Sequence, residues 1–247
     1  MLAPPPVKRS GASPVPPPQR SWCLLCCRRP REPHGCRAQA AAAGAGTVSK
    51  VLSNHYNLLY LDTGKIYRFI AFLKIKFPKN FGLKFIKKKI SNLKIKNLSN
   101  KNLLSDRVAT EASFIAKKKS IRKLVHSFQL NLAYNPPLKY KGSILDGRNI
   151  TYEIIPDADF KFFVTANVKT RAMRRYKELK ALKKKIIYKE VLKSIKKRDK
   201  SDYNRRISPL KKTKDSILIN TTNLSKRACF LKIKKIIDKK LIINGNL

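Results

Sequence analysis

Short apolar runs alternate with longer segments of helical periodicity along most of the chain. Runs with the length of buried strands lie at 56–61, 144–146, 160–164 and 216–219. The segment 107–129 has apolar residues at helical spacing, which predicts two helices meeting near Lys119. A last helix is predicted over 225–241, with Ser225 as its N-cap. This alternation predicts an α/β fold in which helices flank a parallel sheet.

Polar residues stand at the carboxyl ends of the predicted strands. Asp62 follows the first of these strands, Asp146 ends the second and Asn220 follows the last. Ligands of parallel α/β sheets bind beyond this edge, where the strands end and the loops begin. We therefore expect the functional site at this edge of the sheet.

Arginines are concentrated in the segments that follow the second and third predicted strands. They are Arg148, Arg171, Arg174, Arg175, Arg198 and Arg205. In a helix, Arg198, Asp202 and Arg205 share one face, because they are spaced by four and three residues. Guanidinium groups bind phosphate oxygens with paired hydrogen bonds, and a carboxylate accepts from sugar hydroxyls. The pattern predicts a phosphate-and-ribose site.

Five blocks of sequence resemble, in order, those of the bacterial cytidylate (CMP) kinase family. They are LDTGKIYR (61–68), RVATEASFIAKKKSIRKLV (107–125), DGRNI followed by PDAD (146–159), TANVKTRAMRRYKEL (165–179) and RDKSDYNRRISPLKKTKDSILINTT (198–222). The resemblance covers about 44–247. It implies the P-loop nucleoside monophosphate kinase fold, with a shortened monophosphate-binding insertion at 77–106 and a mobile lid at 180–206.

The same resemblance implies an activity and a set of site residues. The activity is phosphorylation of CMP or dCMP with ATP and Mg²⁺, and no residue is assigned as a metal ligand. Residues implied to contact the acceptor nucleotide are Thr63, Arg68, Ser113, Arg122, Asp146, Asn149 and Asp202, the last at the ribose. Catalytic roles fall on Arg148, Arg198 and Arg205. Arg68, Arg148 and Arg205 are implied to grip the monophosphate, and Arg198 lies on the lid. ATP contacts are implied for Gly44, Gly46, Thr47, Arg171 and Arg174.

The nucleotide-binding loop departs from the family pattern GPxGxGK[GS]TVxK. Gly44 and Gly46 lead directly into Thr47, so the residue pair that contains the loop lysine is absent. Lys50 would lie one turn inside a helix that begins near Thr47. The β-branched strand expected before the loop is replaced by an alanine-rich stretch at 38–43. We interpret the first strand and the loop as degraded, which leaves a catalytically impaired kinase-like protein as the alternative function. Asn149 stands where the family has an aspartate that faces the base, which weakens the expected preference for cytosine over uracil.

The composition adds two further alternatives. The chain has 247 residues and a net charge of +43, mostly from lysine, so a basic RNA-binding protein is possible. We rank it last and expect no specific nucleic-acid partner, because the lysine-rich segments contain few aromatics for base stacking. We expect no membrane partner, because no apolar run reaches the ~18 residues that a membrane span needs. Residues 1–43 are rich in Pro, Arg, Ala and Cys and predict a disordered extension unrelated to the body at 44–247. We expect a cytoplasmic monomer, or an organellar protein if the extension is a transit peptide.

Overall fold

The structure, a computed structural model, describes residues 44–182 and 185–243 together with the backbone of Ser21–Cys26 and Arg37–Ala38. The described strands are β1 Ser21–Cys26, β2 Arg37–Ala38, β3 Leu58–Asp62, β4 Gly142–Gly147, β5 Lys161–Thr165 and β6 Ile217–Asn220. The described α-helices are α1 Ala45–His55, α2 Thr63–Lys76, α3 Leu83–Ser91, α4 Asp106–Ile115, α5 Lys119–Tyr134, α6 Val168–Ala181, α7 Tyr188–Asn204 and α8 Lys226–Ile243. The predicted monophosphate-binding insertion contains α3 and two 3₁₀ turns, Ile95–Ser99 and Lys101–Leu104.

The helices and strands of the body follow the periodicity of the sequence. The four predicted strands are present as β3, β4, β5 and β6, shifted by one or two residues at their ends. The helical segment at 107–129 is divided into α4 and α5, which meet just before Lys119 as predicted. Ser225 caps α8, since its Oγ accepts a hydrogen bond of 3.1 Å from the backbone N–H of Ala228. These predictions are confirmed.

The sheet has the order β3-β4-β1-β5-β6, and β2 pairs with β1. The pairs β3–β4 and β5–β6 are parallel, as the alternation of strands and helices predicts. Strand β1 differs, because it runs antiparallel to both β4 and β5 in the middle of the sheet. The α/β class is thus confirmed, whereas the sheet is mixed and not purely parallel.

Two pieces of the predicted disordered extension belong to this sheet. The backbone of Ser21–Cys26 fills the position between β4 and β5, where unpaired N–H and C=O groups would otherwise remain in the interior. Arg37–Ala38 pairs with Leu24 and Leu25. These pieces are placed in strands, whereas the division of the chain into an extension and a body stays a prediction. The predicted transit peptide and the rest of 1–43 lie outside the described residues.

Helices cover both faces of the sheet, and neighbouring residues of β4 face opposite cores. Ile144 belongs to a core shared with α1, α8 and the inner strands, where Phe162 and Ile233 are buried. Leu145 belongs to a second core shared with α2 to α5, where Ile66 and Val125 are buried. This arrangement fixes the carboxyl ends of β3 and β4 side by side. Among the helices that the structure describes, we find none with the length and apolar character needed to cross a membrane.

Candidate active site

Three guanidinium groups surround one carboxylate at the carboxyl edge of the sheet. Arg148 Nε and Arg198 Nε lie 3.4 and 3.8 Å from Asp202 Oδ2, and a terminal nitrogen of Arg205 lies 3.3 Å from Oδ1. Asp202 is only 13% exposed, whereas half of the Arg198 side chain faces solvent. One negative charge does not neutralise three positive ones, so this cluster attracts a further anion.

The arginines perturb one another, which shows that they share one region. Repulsion from Arg148 lowers the pKa of Arg198 to about 10, although the charge of Asp202 opposes the shift. Burial and then Arg148 lower the pKa of Arg205, although Asp202 opposes the shift. Burial also lowers the pKa of Arg68, and the charges of Arg175 and Arg148 add to that effect. Arg148 and Arg205 therefore converge on Asp202. Arg68 donates a hydrogen bond of 2.9 Å to Leu103 O, and its place at the acceptor phosphate stays a prediction.

Local structure positions the arginines of the cluster. Arg148 follows directly after β4, and Arg205 follows the last residue of α7. The turn after α7 is held by a hydrogen bond of 2.7 Å from Leu210 N–H to Asp202 O. Within this turn Ser208 adopts a left-handed conformation with φ of 50°, and its carbonyl accepts from Arg205 Nε. The turn thereby aims Arg205 back towards Asp202.

A pair of carboxylates lies beside the cluster. Asp62 and Asp146 are register partners on the parallel strands β3 and β4, so their side chains leave the same face of the sheet. Tyr60 Oη donates a hydrogen bond of 2.8 Å to Asp146 Oδ2. Burial, and next the charge of Asp62, raises the pKa of Asp146 to about 8. The pair can therefore hold a proton near neutral pH.

Thr63 closes this corner from the start of α2. Its hydroxyl donates to the backbone carbonyl of Asp146, and the side chain is buried. A Cβ at position 147 would collide with Thr63 Oγ1 and would press on Ile150, so the close approach requires glycine. Thr63 is thus next to Asp146, as expected for two residues of one substrate site.

Arg122 lies on α5 under the ring of Tyr67. Its Cζ is 5.8 Å from the ring centroid, one terminal nitrogen donates to Ala116 O at 3.3 Å, and the other lies 3.7 Å from Glu153 Oε1. Arg122 Nε is buried and has no hydrogen-bond partner among the described groups. A buried guanidinium with an unused donor is suited to a polar ligand.

The two remaining residues predicted to contact the base lie in different environments. Ser113 is exposed on α4, and its hydroxyl donates to Ala109 O at 3.1 Å in its own helix. Asn149 is 7% exposed and directly follows Arg148. Asn149 is thus buried at the residue after Arg148, whereas Ser113 is exposed and bonded within its own helix.

The glycine loop opens α1 close to Arg174. Gly44 adopts a left-handed conformation with φ of 80° and caps the helix, so Gly46 and Thr47 lie in the first turn. A Cβ at Gly44 would be 3.8 Å from a terminal nitrogen of Arg174. The N–H groups of a first helical turn bind anions, and the guanidinium adds a positive charge. Lys50 is exposed on α1, beyond this first turn.

Arg174 is held by the loop after β6. Its terminal nitrogens donate to Thr221 Oγ1 at 3.1 Å, Thr221 O at 2.7 Å and Leu224 O at 3.3 Å. The backbone N–H of Thr221 in turn donates to Thr165 O at 2.7 Å, at the end of β5. Gly44, Arg174 and Thr221 therefore form a second polar region at the carboxyl edge of the sheet.

Arg171 lies in a different environment from Arg174. Its side chain is 0% exposed and forms a bidentate ion pair with Asp199, at 3.0 and 2.8 Å. Its Nε donates to Ala166 O at 3.0 Å. All three nitrogens thus have protein acceptors, and this burial speaks against the ATP contact predicted for Arg171.

Two residues near the site were not singled out from the sequence. Tyr60 lies two positions before Asp62 on the same strand and therefore on the same face. That spacing is the signal that could have identified it. Thr221 had no comparable signal, because its role depends on Arg174, 47 positions earlier in the chain.

Comparison with known proteins agrees with this geometry. Residues 39–239 match the family model for cytidylate kinase. The cytidylate kinase of Clostridium tetani is 40% identical over 215 residues, which cover 82% of this chain and 92% of that protein. The cytidylate kinase of Mesomycoplasma hyopneumoniae (strain 7448) is 35% identical over 224 residues, covering 81% and 91%.

The α/β fold and the arginine cluster at the carboxyl edge of its sheet agree with the P-loop class of phosphate-transferring enzymes to which the matched family belongs. The chain belongs to the cytidylate kinase family. The resemblance, the fold class and the phosphotransferase class predicted from the sequence are thereby confirmed. The roles of individual site residues stay predictions.

Proposed function

We propose that the protein transfers the γ-phosphoryl group of ATP to CMP or dCMP and releases CDP or dCDP. The single observation that carries the proposal is the cluster of Arg148, Arg198 and Arg205 around Asp202. An acceptor monophosphate brings about two negative charges, which this excess of positive charge matches. Family membership supports the same acceptor, because the relatives are cytidylate kinases.

In this reaction an oxygen of the acceptor phosphate attacks the γ-phosphorus, and the bond to the β,γ-bridging oxygen breaks. Phosphoryl transfer needs alignment and charge neutralisation more than covalent help from the protein. We assign Arg68, Arg148 and Arg205 to the acceptor phosphate. Arg198, half exposed on α7, reaches between the two nucleotides. The attacking oxygen carries no proton at neutral pH, so the reaction needs no side-chain base.

The base and the ribose of the acceptor are assigned to the other side of the cluster. Asp202 accepts from the ribose hydroxyls, while Thr63, Ser113, Arg122 and Asn149 contact the pyrimidine. The unused donor of Arg122 supports this assignment, since a buried N–H calls for a polar partner. Asp146 supports the same corner through its contacts with Tyr60 and Thr63.

ATP is assigned to the region of Gly44 and Arg174. The first-turn N–H groups of α1, around Gly46 and Thr47, face the phosphates, and Arg174 contributes the nearby positive charge. The loop lysine of the family is absent. The backbone donors remain, so we expect ATP to bind, with turnover reduced by the missing ammonium group.

Mg²⁺ fits this site as an ion carried by ATP. Among the residues that the structure describes, no three His, Cys, Asp or Glu side chains form a cluster that could hold a metal. Mg²⁺ in kinases is bound by substrate phosphates, water and one or two carboxylates, and Asp62 at the end of β3 can supply one. When bound, the ion neutralises the β- and γ-phosphate oxygens. The cytoplasmic location and the monomeric state predicted from the sequence stay predictions.

The test is a direct assay of acceptor use. Purified protein is incubated with ATP, Mg²⁺ and one of CMP, dCMP, UMP or AMP, and the nucleoside diphosphates are separated by anion-exchange chromatography. We expect CDP and dCDP in amounts equal to the ADP formed. A folded protein that forms ADP at the same rate without any acceptor, or that forms no CDP, would contradict the proposal.

A further inference from the structure

A fully buried ion pair links α6 to α7. Arg171 and Asp199 are 0% and 1% exposed, and the guanidinium holds both carboxylate oxygens. The remaining Arg171 nitrogen, Nε, donates to Ala166 O, just after β5. One side chain therefore ties α7 to the carboxyl edge of the sheet.

The packing of α6 and α7 makes this tie important. The two helices share a small apolar cluster formed by Ala172, Leu179, Val191 and Ile195. This cluster is separate from the two larger cores on the faces of the sheet. A helix pair that packs mainly on itself can move as a unit unless a specific contact holds it. Arg171 supplies such a contact.

The position of Asp199 connects the ion pair to the arginine cluster. Asp199 is next to Arg198 on α7 and three residues before Asp202. In a rigid helix, fixing one residue also fixes the position of its neighbours along the helix axis and their rotation about it. The bond to Arg171 therefore determines where Arg198 and Asp202 stand relative to Arg148 on β4.

The chemistry of the Arg171–Asp199 pair favours a role in positioning α7 over a role in stabilising the fold. Buried ion pairs can often be replaced by apolar residues without loss of stability, because desolvation offsets their attraction. A bidentate pair, however, fixes both distance and orientation, which an apolar contact does not. The third hydrogen bond, from Arg171 Nε to Ala166 O, also anchors the pair to the residue that follows β5.

We propose that Arg171 is a positioning residue of the acceptor site: through Asp199 it holds α7 where Arg198 and Asp202 contact the acceptor nucleotide. Arg171 itself touches no nucleotide. The inference rests on the proposed function for the identity of the acceptor, but the coupling between Arg171 and α7 does not depend on that identity.

The first test combines two changes at the pair with one at the site. In Arg171→Met/Asp199→Leu both charges are removed together, which leaves no unpaired buried charge. We expect CMP to bind about 10-fold more weakly by isothermal titration calorimetry, as expected for a misaligned group of phosphate and ribose contacts. In the background of Asp202→Ala, the same double change should cause less than a 2-fold further loss. An equal loss in both backgrounds, or none in either, would overturn the proposal.

A matched control removes an ion pair at the opposite edge of the sheet. Lys161 begins β5 and pairs with Asp215, so Lys161→Met/Asp215→Leu changes a pair far from the acceptor site. We expect unchanged CMP affinity for this variant. Arg171→Lys keeps the positive charge but loses the paired N–H donors of the guanidinium. Its CMP affinity should lie between those of the wild type and of Arg171→Met/Asp199→Leu.

The second test does not need a nucleotide. Hydrogen exchange of the free protein should show amides of 195–204 exchanging at least 10-fold faster in Arg171→Met/Asp199→Leu, with those of β4 unchanged. Unchanged exchange in α7 would overturn the proposal, and so would equal acceleration in both segments, since that reports general destabilisation. If the wild-type chain bound no CMP, the proposed function would fail, and hydrogen exchange alone would decide whether Arg171 positions α7.

Discussion

Tyr60 donates a hydrogen bond to Asp146 from the neighbouring parallel strand, with 2.8 Å between Oη and Oδ2. The bond lowers the pKa of Asp146, but burial and the charge of Asp62 outweigh it and raise that pKa to about 8. The folded protein therefore keeps a proton on Asp146 that the unfolded chain releases above about pH 4. A functional carboxylate is thus held in an environment that opposes its charge.

Asp146→Asn should stabilise the protein at neutral and alkaline pH. Because the folded pKa is raised, the contribution of Asp146 is fully favourable below about pH 4 and is lost as the pH rises towards 8. The stability difference between variant and wild type should grow over this window and reach on the order of 5 kcal/mol, since roughly four pKa units at about 1.4 kcal/mol each separate the folded from the unfolded carboxyl. Urea unfolding at pH 5, 7 and 8.5 in EDTA measures it. A difference that does not change with pH would contradict the assigned environment.

Tyr60→Phe should act in the opposite direction. Without the phenolic donor the pKa of Asp146 rises further, so the loss of stability with pH continues to higher pH than in the wild type. We expect about 1 kcal/mol of destabilisation at pH 8.5. In the Tyr60→Phe/Asp146→Asn double variant this pH-dependent part should vanish. Its persistence there would mean that Tyr60 acts through another group.

Arg148→Lys and Arg205→Lys should each reduce kcat/KM for CMP by about 100-fold, close to 3 kcal/mol. Lysine keeps the charge but loses the paired donors that match phosphate oxygens. The matched control is Arg227→Lys, an exposed arginine at the start of α8, which should change kcat/KM less than 2-fold. Initial rates at varied CMP and saturating ATP measure all three. If Arg227→Lys lost as much kcat/KM as the site variants, the losses would not be specific to the arginine cluster.

Asn149→Asp should sharpen the choice of pyrimidine. An asparagine amide both donates and accepts, so it can pair with the amino group of cytosine or with the corresponding carbonyl of uracil. A carboxylate accepts only, so the ratio of kcat/KM for CMP over UMP should rise about 10-fold. Competition assays with both acceptors give the ratio directly. An unchanged ratio would place Asn149 away from the base.

Restoring the loop lysine should raise turnover. A Lys-Gly pair inserted between Gly46 and Thr47 adds an ammonium group where the phosphates of ATP meet α1. We expect kcat to increase about 10-fold or more. An Ala-Gly insertion at the same point is the control for loop length. Equal gains from both insertions would assign the effect to the loop and not to the charge.

Much of the fold and part of the site could be predicted from the sequence. Local periodicity determines β3 to β6 and the division into α4 and α5, so these were correct. Convergence of Arg148 and Arg205 on Asp202 follows from the carboxyl edge of the sheet, where β4 and the end of α7 meet. These features depend on rules that hold for any α/β sheet.

The features that the sequence did not reveal depend on distant parts of the chain. Arg171 and Arg174 are one turn apart on α6, and spacing alone gives both the same face. Their environments differ because Asp199, 28 residues later, accepts from Arg171, whereas Arg174 donates to Thr221. Likewise, nothing local to Ser21–Cys26 reports the unfilled position between β4 and β5 that it occupies. Tertiary partners decided both outcomes.

The most direct measurement of the central claim compares CMP with cytidine by isothermal titration calorimetry at about 0.15 M salt, where nonspecific attraction to this basic chain is screened. If the arginine cluster grips one monophosphate, CMP should bind with one-to-one stoichiometry and at least 100-fold more tightly than cytidine. That advantage should fall to less than 10-fold in Arg148→Met/Arg205→Met. Equal affinities for CMP and cytidine in the wild-type protein, or an undiminished advantage in the double variant, would contradict the account.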